Sequence, residues 1–160
     1  MVAPIHLSKE KMLAERVARF SNLKPTRKAF LDSIVEGHER DICQIIGPGV
    51  NEDPAHRPAI TDHPDFSLGL IRAEPGHGAS LHIHDTVEVF MPLKGRWKIF
   101  WGTDETSRFV ILEPWDVASC PPHVMRGFRN VGDEEGLLFV IVGGTNPGNV
   151  DLRYDVLEEA

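Results

Sequence analysis

Residues 76–95 run Gly76-His77-Gly78-Ala79-Ser80-Leu81-His82-Ile83-His84-Asp85-Thr86-Val87-Glu88-Val89-Phe90-Met91-Pro92-Leu93-Lys94-Gly95. In a β-strand successive side chains point to opposite faces, so residues two apart share one. His82 and His84 therefore project together while Ile83 turns away. Asp85 and Thr86 make a tight turn, and the returning strand can bring the Glu88 carboxylate back to both imidazoles. Two neutral ring nitrogens and one carboxylate oxygen on a rigid sheet suit a divalent first-row metal ion and leave coordination positions open.

The surroundings are those of a β-protein. From Phe66 to Val142 short apolar stretches alternate with turn signals such as Glu74-Pro75-Gly76, Lys94-Gly95, Glu113-Pro114-Trp115-Asp116 and Cys120-Pro121-Pro122. Many strands at short, even spacing predict a sandwich or barrel. After it, Gly143-Gly144-Thr145-Asn146-Pro147-Gly148 reads as a loop before a short closing segment, residues 143–160. Upstream, Asp41–Ile46 reads as a strand ended by Gly47-Pro48-Gly49, and Pro54, Pro58 and Pro64 predict a long extended loop. His56 and His63 lie in that loop and are left out of the site. Ser8 to about Phe20 reads as an amphipathic helix with Ser8 as N-cap and Leu13, Val17 and Phe20 on one face. Residues 1–65 are expected to pack on the barrel or on a dimer partner, as part of one domain with the barrel of residues 66–142.

The spacing from Gly76 to Gly95 resembles the first motif of the cupin family: glycine, five residues, His-x-His, three residues, Glu, six residues, glycine. That resemblance implies an all-β double-stranded β-helix, or jelly roll, with His82, His84 and Glu88 as metal ligands. The second cupin motif falls on Trp115, Pro121, His123, Arg126 and Asn130. Pro121 and Asn130 agree with it; its two glycines are replaced by Trp115 and His123, and its ligand histidine by Arg126. A guanidinium offers only donors and cannot ligate a metal.

Three arrangements follow for the second motif. Arg126 faces an open coordination position and anchors an anionic oxygen, for which its planar fork is suited; or His123 bends inward as the fourth ligand; or Arg126 pairs with Glu88 and weakens metal binding. On the strand after Gly95, Trp97, Ile99 and Trp101 share a face, opposite Arg96, Lys98 and Phe100. The charged partners turn the Trp97 and Trp101 face inward, where the two indoles either line a ligand pocket or fill the core. Trp115 occupies a turn position at which glycine usually relieves a positive φ.

Composition narrows the function classes. The 160 residues carry a formal net charge of −7 with no block of Lys and Arg, which argues against a nucleic-acid surface. No run of about 18 apolar residues predicts a membrane span, and a cytoplasmic homodimer is expected. Cys43 and Cys120 stand far apart, outside metal-type spacing, as reduced thiols. The expected cofactor is one divalent metal ion, Fe2+ preferred over Mn2+, Zn2+ or Ni2+ on the ligand set. The expected partner is a small anionic or enolisable carbonyl compound. The resemblance spans dioxygenases, isomerases and decarboxylases as well as non-catalytic ligand-binding and sensing modules, so it selects no reaction.

Overall fold

The protein is described by a computed structural model covering residues 3–50, 53, 55–62, 65–144 and 151–152. The expected loop at residues 145–148, the tail beyond Leu152, His63, Pro54 and Pro64 lie outside the described residues. Ten strands occur among those described: β1 (Asp41–Ile46), β2 (Phe66–Ala73), β3 (Gly78–Ile83), β4 (Glu88–Lys94), β5 (Trp97–Trp101), β6 (Phe109–Leu112), β7 (Ala118–Cys120), β8 (Arg126–Asn130), β9 (Gly136–Gly143) and β10 (Asp151–Leu152). They form two five-stranded antiparallel sheets, ordered β1-β2-β9-β4-β7 and β10-β3-β8-β5-β6.

Period-two burial explains why these segments are strands. Along β9, Gly136, Leu138, Val140 and Val142 are buried while the residues between them are partly exposed, and along β4 the same holds for Glu88, Phe90 and Pro92. Phe90, Trp97, Ile99, Phe100 and Leu138 are the large apolar side chains withdrawn fully from water. Each such side chain contributes about 1.5–3 kcal/mol of burial free energy. Asp41–Ile46 forms a strand with the expected bounds. It pairs with β2, so the sheet begins upstream of residue 66.

The motif glycines sit where only glycine is comfortable. Gly76 and Gly95 have φ of 84° and 80°, the left-handed region. Trp115 holds φ 76° without a glycine, and His123 holds 61°. The N-terminal helix, α1 (Lys9–Glu15), is shorter than its apolar stripe predicted. Ser8 caps it, accepting from the Lys11 N–H, but it buries no residue; Leu13 and Phe20 stay exposed. With no tertiary face to extend along, a helix of this length stops early. No described helix is long and apolar enough to cross a membrane.

Candidate metal centre

The hairpin from β3 into β4 brings His82, His84 and Glu88 together as expected, all three buried. Both imidazole Nε2 atoms stand 3.5 Å from Glu88 Oε2. Two donors bound to one tetrahedral ion at about 2.1 Å would stand about 3.4 Å apart, close to both of these separations, and all three donor atoms lie within 4.8 Å of one another. Glu88 Oε2 is buried without a hydrogen-bond partner, an orphan that an ion would satisfy. His82 Nδ1 lies 2.8 Å from the Ser80 carbonyl oxygen and donates to it, which turns the Nε2 lone pair toward Glu88. The residues present fit a divalent ion.

The electrostatics suit these groups to holding a metal ion. Burial pushes the His84 imidazole down to about 4; the Glu88 charge opposes that shift, and His82 and Arg126 reinforce it. Burial alone would raise the Glu88 carboxyl, but His82, His84 and Arg126 outweigh it and hold the group below its usual range. At neutral pH His84 is therefore neutral and Glu88 ionised, the forms that ligate. Cys120 lies opposite Glu88 in the sheet register. Burial pushes its thiol up, with Glu88 adding to the effect, so it stays protonated and is a poor ligand.

Arg126 points inward on β8, opposite His82, and is fully buried. Its Nε lies 3.3 Å from Glu88 Oε2, and one terminal nitrogen donates to the carbonyls of Thr86 and Pro121, each at 3.3 Å. It therefore sits beside the carboxylate as a counter-charge. It is not among the residues that line the adjoining cavity. His123 does not bend inward: the left-handed turn carries its ring to the surface, 71% exposed, near Asp85 at 3.6 Å. Trp97 fills the core, its indole N–H donating to the Lys94 carbonyl, and Trp101 ends β5 with 36% of its surface exposed.

A cavity of about 60 Å³ opens against His82, His84 and Glu88. Its walls are mainly Phe30, Ile42, Ile71, Phe128, Val140 and Val142, with Asp32, Arg40 and Gln44 as further polar groups. Reasoning from strand periodicity missed these last three. The available signal was an acidic residue, Asp32, inside the apolar run from Phe30 to Val35. Arg40 Nη2 donates to Asp32 Oδ1 at 2.7 Å in an ion pair that is almost wholly buried. The Arg40 guanidinium lies 4.8 Å from the Phe30 ring centre, and its Nε has no partner.

No protein-family model matches the chain, and no curated protein matches it by sequence. Solved structures do. The polyketide cyclase RemF from Streptomyces resistomycificus aligns with a TM-score of 0.63 at 14% identity, over 87% of this chain and 84% of that one. A cupin 2 domain-containing protein from Halorhodospira halophila aligns at 0.57 and 21% identity, over 75% and 74%. The oxalate decarboxylase of Lactobacillus farciminis, solved as a formate complex, aligns at 0.57 and 19% identity, over 88% of this chain and 36% of that chain. This chain thus spans about a third of the decarboxylase. The fold is that of the cupins, a double-stranded β-helix. A His-His-Glu cluster of metal-binding type lies inside it.

Proposed function

We propose that this protein is a mononuclear metal-dependent cupin enzyme, of dioxygenase, isomerase or decarboxylase type, acting on a small anionic or enolisable carbonyl compound. The observation that carries the reading is the convergence of His82, His84 and Glu88 on one buried point in a cavity wall. The donor set of two imidazoles and one carboxylate favours iron(II), with manganese, zinc or nickel as competitors. A bound ion would supply Lewis acidity toward a carbonyl oxygen and open positions for small oxygen ligands. The apolar wall would exclude water around a ligand, and the unpartnered Arg40 Nε is available to a second oxygen. Charge supports an anion: Glu88 with Arg126 and Asp32 with Arg40 are each neutral pairs, so a divalent ion leaves the buried site with two uncompensated positive charges.

The test loads the protein with cobalt(II) and titrates it with pyruvate and with acetone while following the visible absorption. Pyruvate should change the spectrum; a response to acetone as well would favour the carbonyl over the charge as the recognised group. No response to either would remove the anionic-substrate reading. A second reading rests on the 3.3 Å approach of Arg126 to Glu88: the guanidinium neutralises the carboxylate, and the barrel is a non-catalytic module for a small ligand. Failure of the wild-type protein to take up cobalt would select it.

A further inference from the structure

We infer that Asp32, itself held by Arg40, is a positioning residue for His82: it pins a bulge in β3 and so fixes the orientation and tautomer of that ring. The register between β3 and β8 runs Gly78 to Arg129 and Ala79 to Phe128, then shifts so that His82 faces Arg126. Three steps along β3 match two along β8, so β3 carries one extra residue just before His82. Bulges re-aim side chains and free backbone groups from the ladder.

Within the bulge, Ser80 is held from both sides. Its backbone N–H and its hydroxyl both donate to Asp32 Oδ2, at 3.4 and 3.2 Å. Its carbonyl accepts from His82 Nδ1 at 2.8 Å. The other Asp32 oxygen accepts from Arg40, whose second terminal nitrogen donates to the carbonyls of His38 and Gly78, at 2.8 and 3.1 Å. Arg40 therefore grips β3 at Gly78 while Asp32 grips it two residues later, and both come from a segment some forty residues upstream. The side chains of Asp32, Arg40, Ser80 and His82 are all buried.

The consequence for chemistry is specific. An imidazole binds metal through the nitrogen that lacks the proton, and the hydrogen bond at the other nitrogen decides which one that is. If the Ser80 carbonyl drifts, His82 loses the bond that keeps the proton on Nδ1, and its Nε2 no longer faces Glu88 as a bare lone pair. The inference rests on the proposal that His82 is a metal ligand, but the tautomer can be read without metal.

The test replaces the ion pair as a unit, Asp32→Leu with Arg40→Met, so that no lone charge is stranded in the core. Imidazole-nitrogen NMR of metal-free wild type should find His82 protonated on Nδ1. In the double variant the Nε2-protonated form should appear, and the cobalt(II) dissociation constant should rise roughly 10–100-fold. A folded double variant with the wild-type tautomer and wild-type cobalt affinity would overturn the inference. Should that variant not fold, Asp32→Asn, which keeps the shape and drops the charge, is judged by the same two readouts. Should wild type bind no cobalt, the metal reading fails and the tautomer comparison alone decides this one.

Discussion

Replacing Arg126 with methionine moves stability and metal affinity in opposite directions. In the metal-free protein the Arg126 guanidinium is a permanent positive charge 3.3 Å from Glu88 Oε2, whereas the imidazole of His84 is neutral at pH 7. Methionine fills similar volume but strands a carboxylate that is almost wholly buried. Breaking one side of a buried pair in this way costs about 3–5 kcal/mol. With metal present the sign reverses. A guanidinium 3.3 Å beyond Glu88 Oε2 stands at most about 5.4 Å from an ion bound to that oxygen at about 2.1 Å. At an effective dielectric of about 20, a single and a double positive charge at that separation repel by about 6 kcal/mol. Even a quarter of that, about 1.5 kcal/mol, is slightly more than a tenfold gain in affinity when the arginine is removed. Chelator-competition titration with zinc and thermal melts with and without zinc measure both effects. The expected pattern is a lower melting temperature without metal and a dissociation constant at least tenfold smaller. Arg126→Met with unchanged zinc affinity and unchanged apo stability would refute the reasoning.

Other outcomes follow from single contacts. Asn130, fully buried, donates to the carbonyls of Ala73 and Glu134 and accepts from the Gly132 N–H, so Asn130→Ala should lower the unfolding free energy by about 3 kcal/mol in urea denaturation. Trp115 is 70% exposed and holds φ 76°. Trp115→Gly relieves a left-handed strain of about 1–2 kcal/mol and loses part of it to chain entropy, so stability should hold or rise by up to about 1 kcal/mol; a fall in melting temperature would show that the indole packs in a way that outweighs the strain. For Asp41, burial acts to raise the carboxyl, but Arg27 and Arg72 outweigh it and leave the pKa below its usual value. A depressed folded pKa gives stability that is complete above the unfolded value and lost as pH falls through the folded one. Below about pH 4 the wild type should therefore lose stability more steeply than Asp41→Asn.

The strands and the clustering of His82, His84 and Glu88 were legible because both depend on short-range periodicity. Asp41–Ile46 follows from its apolar run and the Gly47-Pro48-Gly49 stop. The convergence of His82, His84 and Glu88 follows from alternation and one turn. Arg126 was legible as inward-facing, but alternation says which face a side chain takes and not how far it reaches. Its fork stops at Glu88 because the Thr86 and Pro121 carbonyls hold it there. Trp101 shares the face of Trp97 yet stands at the strand end, where the barrel no longer covers it. Asp32 stood out only as an acidic residue in an apolar run, and its contact with Ser80 was not legible. That contact spans 48 residues and depends on a one-residue register shift and on a charge buried beside its partner. None of these leaves a periodic trace.

The most direct test of the His82, His84 and Glu88 assignment is elemental analysis of the protein purified without added metal, beside His84→Ala prepared identically. Wild type is expected to carry about one transition-metal ion per chain and the variant almost none, while both keep the β-sheet circular-dichroism signature. Equal metal content in the two proteins, or none in wild type even after incubation with iron(II), would contradict the metal centre.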